Sequence, residues 1–212
     1  VYGATETAPL VTGFRHEELH LDDERVRSCG QPMMGVEVEI RGLDGTRCSA
    51  GEAGEVTVRG DNVMAGYWNK PEQTDAVLCD GWYSTGDVGR LDDRGYLYLL
   101  DRSKDMIISG GENVYCTEVE EAIYTHPAVL EATVFGIPDE RWGESVHAVV
   151  VPRPGVDVTD AEIIEHVRTL IAGYKVPRSI DLRTEELPKS GPGKVLKREL
   201  RAPFWEDQET QI

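Results

Sequence analysis

Several short stretches carry residues whose type and spacing could do chemistry. "ELPKSGPGKVLKREL", Glu186 to Leu200, sets Lys189, Lys194, Lys197 and Arg198 around a segment broken by two prolines and two glycines. Cations gathered on a Gly/Pro segment suit an anionic ligand, although a solvated patch is the default for any charge run. "GWYSTGD" ends in Asp87, a carboxylate at the end of a small-residue turn, suited to accept two vicinal ribose hydroxyls; an Asp after Gly is more often an ordinary turn residue. "DRSKDMIISGGENVY", from Asp101 to Tyr115, joins a charged segment to an apolar strand and the Gly110–Gly111 pair, which either lets a backbone approach a ligand or simply turns the chain. "HEELH", His16 to His20, matches the H-E-x-x-H zinc pattern, with Glu17 as the base. No long apolar helix follows to bury such a site, so a solvated charged segment is the preferred reading.

These residues must be positioned by recognisable elements. From Met33 to Asp101 the text is strand-like: "VEVEI" alternates, "LDG" marks a turn, "GEVTVRG" follows, and "DDRG" interrupts "DVGRLDDRGYLYLLDR" as a hairpin turn. Pro71 to Val77 reads as a short helix. The expectation is a compact antiparallel β unit, barrel-like in a distorted way. After Arg102 the pattern changes to a strand at Met106 to Ser109, then a helix over Thr117 to Tyr124 opened by a Thr117/Glu120 capping box. Two strands follow, "LEATVFGI" and "SVHAVVV". A second helix is opened by Thr159 and Glu162, with Ile163, Val167, Leu170 and Ile171 on one face; "SIDLRTE" is a last strand and "KVLKREL" a closing helix. The fold class is therefore α+β: a β-rich portion over 1–101, a connection over 102–104, and an α+β domain over 105–212.

Composition narrows the function. The chain has 212 residues and 40% hydrophobic content, enough for a real core. Its 39 acids against 22 bases, a formal charge of −17, exclude nucleic acid as a partner, because neutralising phosphates needs a basic footprint. No apolar run reaches the ~18 residues of a spanning helix. Cys29, Cys48, Cys79 and Cys116 stand apart with no C-x-x-C pair, as isolated thiols of a reducing, cytoplasmic compartment would. The opening "VYGATETAPL" lacks an initiator Met and reads as the downstream part of something longer.

Taken together, "YGATE" at Tyr2 to Glu6, "STGD" at Ser84 to Asp87, "DRSKDMIISGGENV" and "PKSGPGK" at Pro188 to Lys194 closely resemble the adenylate-forming superfamily of acyl-CoA synthetases, aryl-CoA ligases, luciferases and peptide-synthetase adenylation domains. The resemblance implies an acid:CoA ligase that joins a small-molecule carboxylic acid to ATP, releases pyrophosphate, and passes the acyl group from AMP to coenzyme A. It implies that Thr5 bonds the α-phosphate, Glu6 holds Mg²⁺, Tyr2 lies near adenine, Asp87 accepts both ribose hydroxyls and Arg102 adds a contact to the same sugar. Lys104 becomes the hinge of a mobile C-terminal domain. Lys194 bridges the substrate carboxylate and the α-phosphate in one pose, and Ser109, Gly110, Gly111 and Glu112 line the pantetheine path in the other. Lys189 supports the Lys194 loop, while Lys197, Arg198 and Arg201 serve the closing helix or anionic ligands.

The sequence departs from the family's pattern in two places. Cys116 stands where relatives often have proline, and the phosphate loop with most of the acyl and adenine pocket would lie upstream of "YGATE". The wording "DMIISGGENVY" resembles acyl- and aryl-CoA ligases more than peptide-synthetase adenylation domains, and the ending "APFWEDQE" is similar to bacterial fatty acyl-CoA synthetases, which implies medium- or long-chain fatty acids; a feruloyl- or benzoyl-type aryl-CoA ligase is the alternative, and a non-catalytic nucleotide- or CoA-binding module is the alternative from another class. Oligomeric state is not legible.

Overall fold

The structure is a computed structural model that describes residues 1–14, 24–42, 44–191 and 193–206. The "HEELH" segment lies outside the described residues. The chain divides into two compact units, Val1–Ser103 and Lys104–Ile212.

The first unit carries β1 (Thr12–Gly13) and β2 (Gln31–Pro32), which pair with each other, and a five-stranded antiparallel sheet. That sheet contains β3 (Val36–Arg41), β4 (Gly54–Gly60), β5 (Leu78–Cys79), β6 (Trp82–Leu91) and β7 (Leu97–Arg102), with α1 (Pro71–Asp75) before β5. Its order is β3-β4-β6-β5 with β7 also on β6, so the expected antiparallel β unit is present and the described strands form open sheets without a closed barrel. Alternation along β3 and β4 sends Val38, Ile40, Val56 and Val58 into a core completed by Tyr2, Val11 and Leu97. The "DDRG" turn is present: Asp92 and Tyr96 close it through an N–H···O bond of 3.0 Å.

The second unit opens with β8 (Ile107–Ser109) and β9 (Glu112–Val114), a hairpin turned by Gly110 and Gly111. Both glycines have positive φ, 63° and 87°, as a two-residue turn of the primed kind requires. A Cβ at Gly110 would also meet the Trp142 ring at 2.6 Å. Next come α2 (Cys116–Tyr124), β10 (Val129–Asp139), β11 (Gly143–Pro152), α3 (Asp160–Arg168), β12 (Ser179–Leu182) and α4 (Lys197–Trp205). β10 and β11 form a long antiparallel pair, to which β8 adds antiparallel and β12 parallel.

Both faces of this sheet are covered. Val119 and Ile123 of α2 and Ile163 and Val167 of α3 pack with Val134, Val146, Ala148 and Val150. On the other face Phe135, Val149 and Val151 meet Leu187 and Leu200, so α4 and the segment before it close that side. His147 lies on the second face, 2% exposed, with Nδ1 2.7 Å from the Ser179 hydroxyl and its ring against Phe135 and Phe204.

Local details correct two expectations. The Thr159/Glu162 capping box forms, but Thr117 is not the cap residue of α2, which starts at Cys116 with Tyr115 as its cap. Cys116 is buried and its thiol donates to the Asp105 carbonyl at 2.9 Å, a bond that proline could not make. Leu170 is 51% exposed because α3 ends at Arg168, two residues before the helical period would bring it inward.

Candidate functional site

Asp87 lies within the ten-residue strand β6 and not at the end of a turn. What the sequence presents as a turn is a bulge. Thr57 of β4 pairs with Ser84 and Glu55 with Val88, so β6 spends extra residues between those two pairs. Gly86 takes φ 72° there, and the looped segment is pinned: the Thr85 hydroxyl donates to Val56 O at 2.8 Å and Gly86 N–H to the Glu55 carboxylate at 3.1 Å. The Asp87 carboxylate thereby emerges beside two donors. The Tyr2 hydroxyl donates to Oδ2 at 2.7 Å, and Arg102 Nε, opposite in the β6–β7 register, stands 3.5 Å from Oδ1. Burial first, and then the Asp87 charge, push the Tyr2 phenol well above its usual range, so it remains a protonated donor. A carboxylate has about four acceptor sites, so Asp87 keeps lone pairs for further hydroxyls.

Glu6 sits in the single 3₁₀ turn Thr5–Thr7, half-buried, and accepts a 2.9 Å bond from the Tyr67 hydroxyl on Oε1. Its backbone carbonyl accepts Met64 N–H at 2.8 Å. Tyr83 ties the two carboxylates into one neighbourhood, since its buried phenol is pushed up by desolvation and by the charges of both Glu6 and Asp87, and it hydrogen-bonds Tyr67. Thr5 is exposed beside them. Tyr2, Thr5, Glu6, Asp87 and Arg102 thus belong to one unit, in which the Tyr2 phenol donates to Asp87 and the Tyr67 phenol to Glu6. Among the described residues no three His, Cys, Asp or Glu side chains form a metal cluster. A magnesium ion commonly takes one or two carboxylates and leaves the rest of its shell to phosphates and water, so the single Glu6, with one oxygen uncommitted, fits that donor set.

The expected residues of the second unit fall on two hairpins. Ser109 is buried at the end of β8, Gly110 N–H donates to Trp142 O at 2.8 Å, and Gly111 and Glu112 are exposed at the tip. Lys194 stands exposed on a hairpin of its own. Ser190 N–H donates to Lys194 O at 2.8 Å, Lys194 N–H to the Ser190 hydroxyl at 3.2 Å, Gly193 N–H to Ser190 O at 2.8 Å and Leu196 N–H to Pro188 O at 2.8 Å. Bonds among Pro188, Ser190, Gly193, Lys194 and Leu196 therefore close the hairpin at its base. Lys104, exposed in a turn, begins the second unit.

Comparison with known proteins gives the family. Residues 1–68 match the family described as AMP-binding enzyme, and residues 118–194 match the AMP-binding enzyme C-terminal domain. The chain belongs to the AMP-binding enzyme family. It is 47% identical over 203 residues to a feruloyl-CoA synthase of an Amycolatopsis species, covering 96% of this chain and 40% of that protein. It is 44% identical over 211 residues to a long-chain-fatty-acid–CoA ligase of Yersinia pestis, covering 100% and 36%. O-succinylbenzoate coenzyme A synthetase of Bacillus subtilis, solved in complex with ATP and magnesium ion, superposes with a TM-score of 0.84 at 38% identity, covering 94% of this chain and 40% of that one. The chain spans about two-fifths of the length of these relatives.

Within this AMP-binding enzyme chain, several supporting residues escape sequence reasoning. Tyr67 and Tyr83 serve Glu6 across 61 positions and through a second phenol, and Glu55 fixes the bulge from β4. Lys197 and Arg201, read as servants of the closing helix or of anions, are paired with acids: Lys197 with Glu120 at 2.9 Å and Arg201 with Glu144 at 3.3 Å. Glu144 in turn accepts Ile108 N–H at 2.9 Å, so α4 and β8 share one buried carboxylate. Nothing in a local pattern marks such pairs, because each joins elements distant in sequence.

Proposed function

We propose that this chain supplies the nucleotide-holding β unit and the C-terminal domain of an AMP-forming acid:CoA ligase. The observation that supports it best is the Tyr2–Asp87–Arg102 cluster, a half-buried carboxylate held between a phenol and a guanidinium. In this reading Asp87 accepts the two ribose hydroxyls of ATP and then of AMP, with Arg102 beside the same sugar and Tyr2 close to the base. Thr5 donates to the α-phosphate. Glu6, held by Tyr67, is the carboxylate for a magnesium ion, which when bound neutralises phosphate charge. A carboxylate oxygen of the acid attacks the α-phosphorus in line and the bond to pyrophosphate breaks. Lys194 lies between the acid and the α-phosphate, and its ammonium steadies the charge that builds as the displacement proceeds.

In the second half-reaction the thiol of coenzyme A attacks the acyl carbon and AMP leaves, with Ser109, Gly110, Gly111 and Glu112 along the pantetheine path. Lys104 is the hinge whose φ and ψ change between the two steps. Medium- or long-chain fatty acids are the proposed substrates, in a cytoplasmic enzyme. Aryl acids are the second reading, favoured by the 47% identity to a feruloyl-CoA synthase against 44% to a long-chain ligase. The test is a full-length ligase carrying this chain, assayed for pyrophosphate release and thioester formation across medium-chain, long-chain and aryl acids. Both products are expected with at least one class. Silence across all of them would favour a non-catalytic binding module.

A further inference from the structure

The Lys194 hairpin is closed by its own backbone bonds, yet those bonds do not fix where it sits on the domain. Two contacts do. Leu187 and Val195, flanking the turn, pack with Phe135, Val149, Val151 and Leu200 on the second face of the β10–β11 sheet. Apolar contacts of this kind hold position without fixing direction. The directional contact comes from Glu131: Oε2 accepts Leu187 N–H at 3.1 Å and Oε1 is paired with Lys189 Nζ. One side chain thus grips both the segment leading into the hairpin, at Leu187, and Lys189 within it, five positions before Lys194.

Glu131 can do this only because of a fault in the register of β10. Val129 pairs with Pro152 and Glu131 with Val151, so β10 spends two residues where β11 spends one, and Leu130 is the extra one. Side chains alternate along a strand, and an unbroken β10 would turn residues 129 and 131 to the same face. With the bulge, Val129 goes into the core under α2 and α3, Leu130 stands 41% exposed, and Glu131 emerges on the opposite face against the hairpin. Its carboxyl is held below the usual range, first by Lys189 and then by Leu187 N–H, and so is ionised at neutral pH. Glu186, 3.8 Å from Lys189, is 82% exposed and cannot replace a half-buried partner that also holds the backbone.

We infer that Glu131 is a positioning residue for Lys194, its carboxylate fixing the direction in which the domain presents the hairpin during adenylation. The inference rests on the reading that Lys194 acts in that half-reaction. The experiment is a double-mutant cycle of Glu131→Gln and Lys189→Gln in a full-length ligase carrying this chain, with Lys194→Ala alongside. Glutamine keeps an acceptor for Leu187 N–H and removes only the charge.

Each single variant is expected to slow adenylation about tenfold, within the range that a misplacement of about 1 Å costs. The double variant should be no slower than either single one, because both remove the same contact. Thioester formation from supplied acyl-adenylate should stay within twofold of the parent. Equal slowing of both half-reactions, or multiplied losses in the double variant, would overturn the inference by showing a general loss of structure. A normal adenylation rate in Glu131→Gln while Lys194→Ala is slow would overturn it too. A normal rate in Lys194→Ala would instead remove the reading beneath it.

Discussion

In the first unit the Asp87 carboxylate is half-buried and committed on both oxygens, to Tyr2 and to Arg102, on a strand paired with β4 and β7. In the second unit the Lys194 side chain is exposed, while its backbone is bonded to Ser190 and its hairpin is gripped by Glu131. The carboxylate proposed for ribose is preorganised down to the side chain; the lysine is preorganised only as far as its Cα. A group proposed to hold AMP through both half-reactions gains from being fixed. A cation proposed to act in one of them, delivered and withdrawn as part of its domain, gains from a fixed base and a free end. The proposed hinge at Lys104 would then supply the movement.

The sharpest way to break this comparison is at Lys194. Lys194→Ala in a full-length ligase is expected to slow pyrophosphate-releasing adenylation by at least about 100-fold, the usual loss when one preorganised donor to a transition state is removed. Asp87→Asn should cost about 10- to 100-fold in apparent affinity for ATP, as for loss of a charged hydrogen-bond acceptor. That weakening should appear for AMP as well, measured by isothermal titration. Lys104→Pro locks φ at the proposed hinge and is expected to slow thioester formation more than adenylation, read from the two half-reactions separately. Equal effects would place the moving element elsewhere.

The smallest expected effect is on stability. Burial lowers the pKa of His147 below its ordinary 6.5. The opposing charge of Asp181 on β12 stands 3.7 Å from Nε2, too far for a hydrogen bond, and the neighbours from β10 and α4 are Phe135 and Phe204. The unfolded chain then takes up a proton on this histidine at a higher pH than the folded one. Stability is full above the ordinary value and is lost as pH falls below it. The thermal midpoint at pH 5.5 should be below that at pH 7.5, and His147→Phe should reduce the difference. An unchanged difference would assign the pH dependence to other groups.

Much of the architecture is legible in the sequence, because alternation in "VEVEI" and "GEVTVRG" and the helical spacing of Ile163 and Val167 follow from burial on one face. The motifs are legible for the same reason that they are motifs, being short and local. The two bulges are not. "STGD" has the composition of a turn, and only pairing with β4 reveals that β6 continues through it. The bulge at Leu130 leaves an apolar run that period-two reading treats as one strand with one inward set. The pairs that fix the site, Tyr67 with Glu6 and Lys189 with Glu131, join residues 61 and 58 positions apart, beyond any window in which spacing carries meaning.

The central claim is that the fixed carboxylate serves both half-reactions and the delivered lysine serves one. It is tested most directly by supplying acyl-adenylate and coenzyme A to the Lys194→Ala enzyme and measuring the rate of thioester formation. A rate within about threefold of the parent, alongside the loss of adenylation, is the predicted result. A loss in thioester formation as large as the loss in adenylation would contradict it.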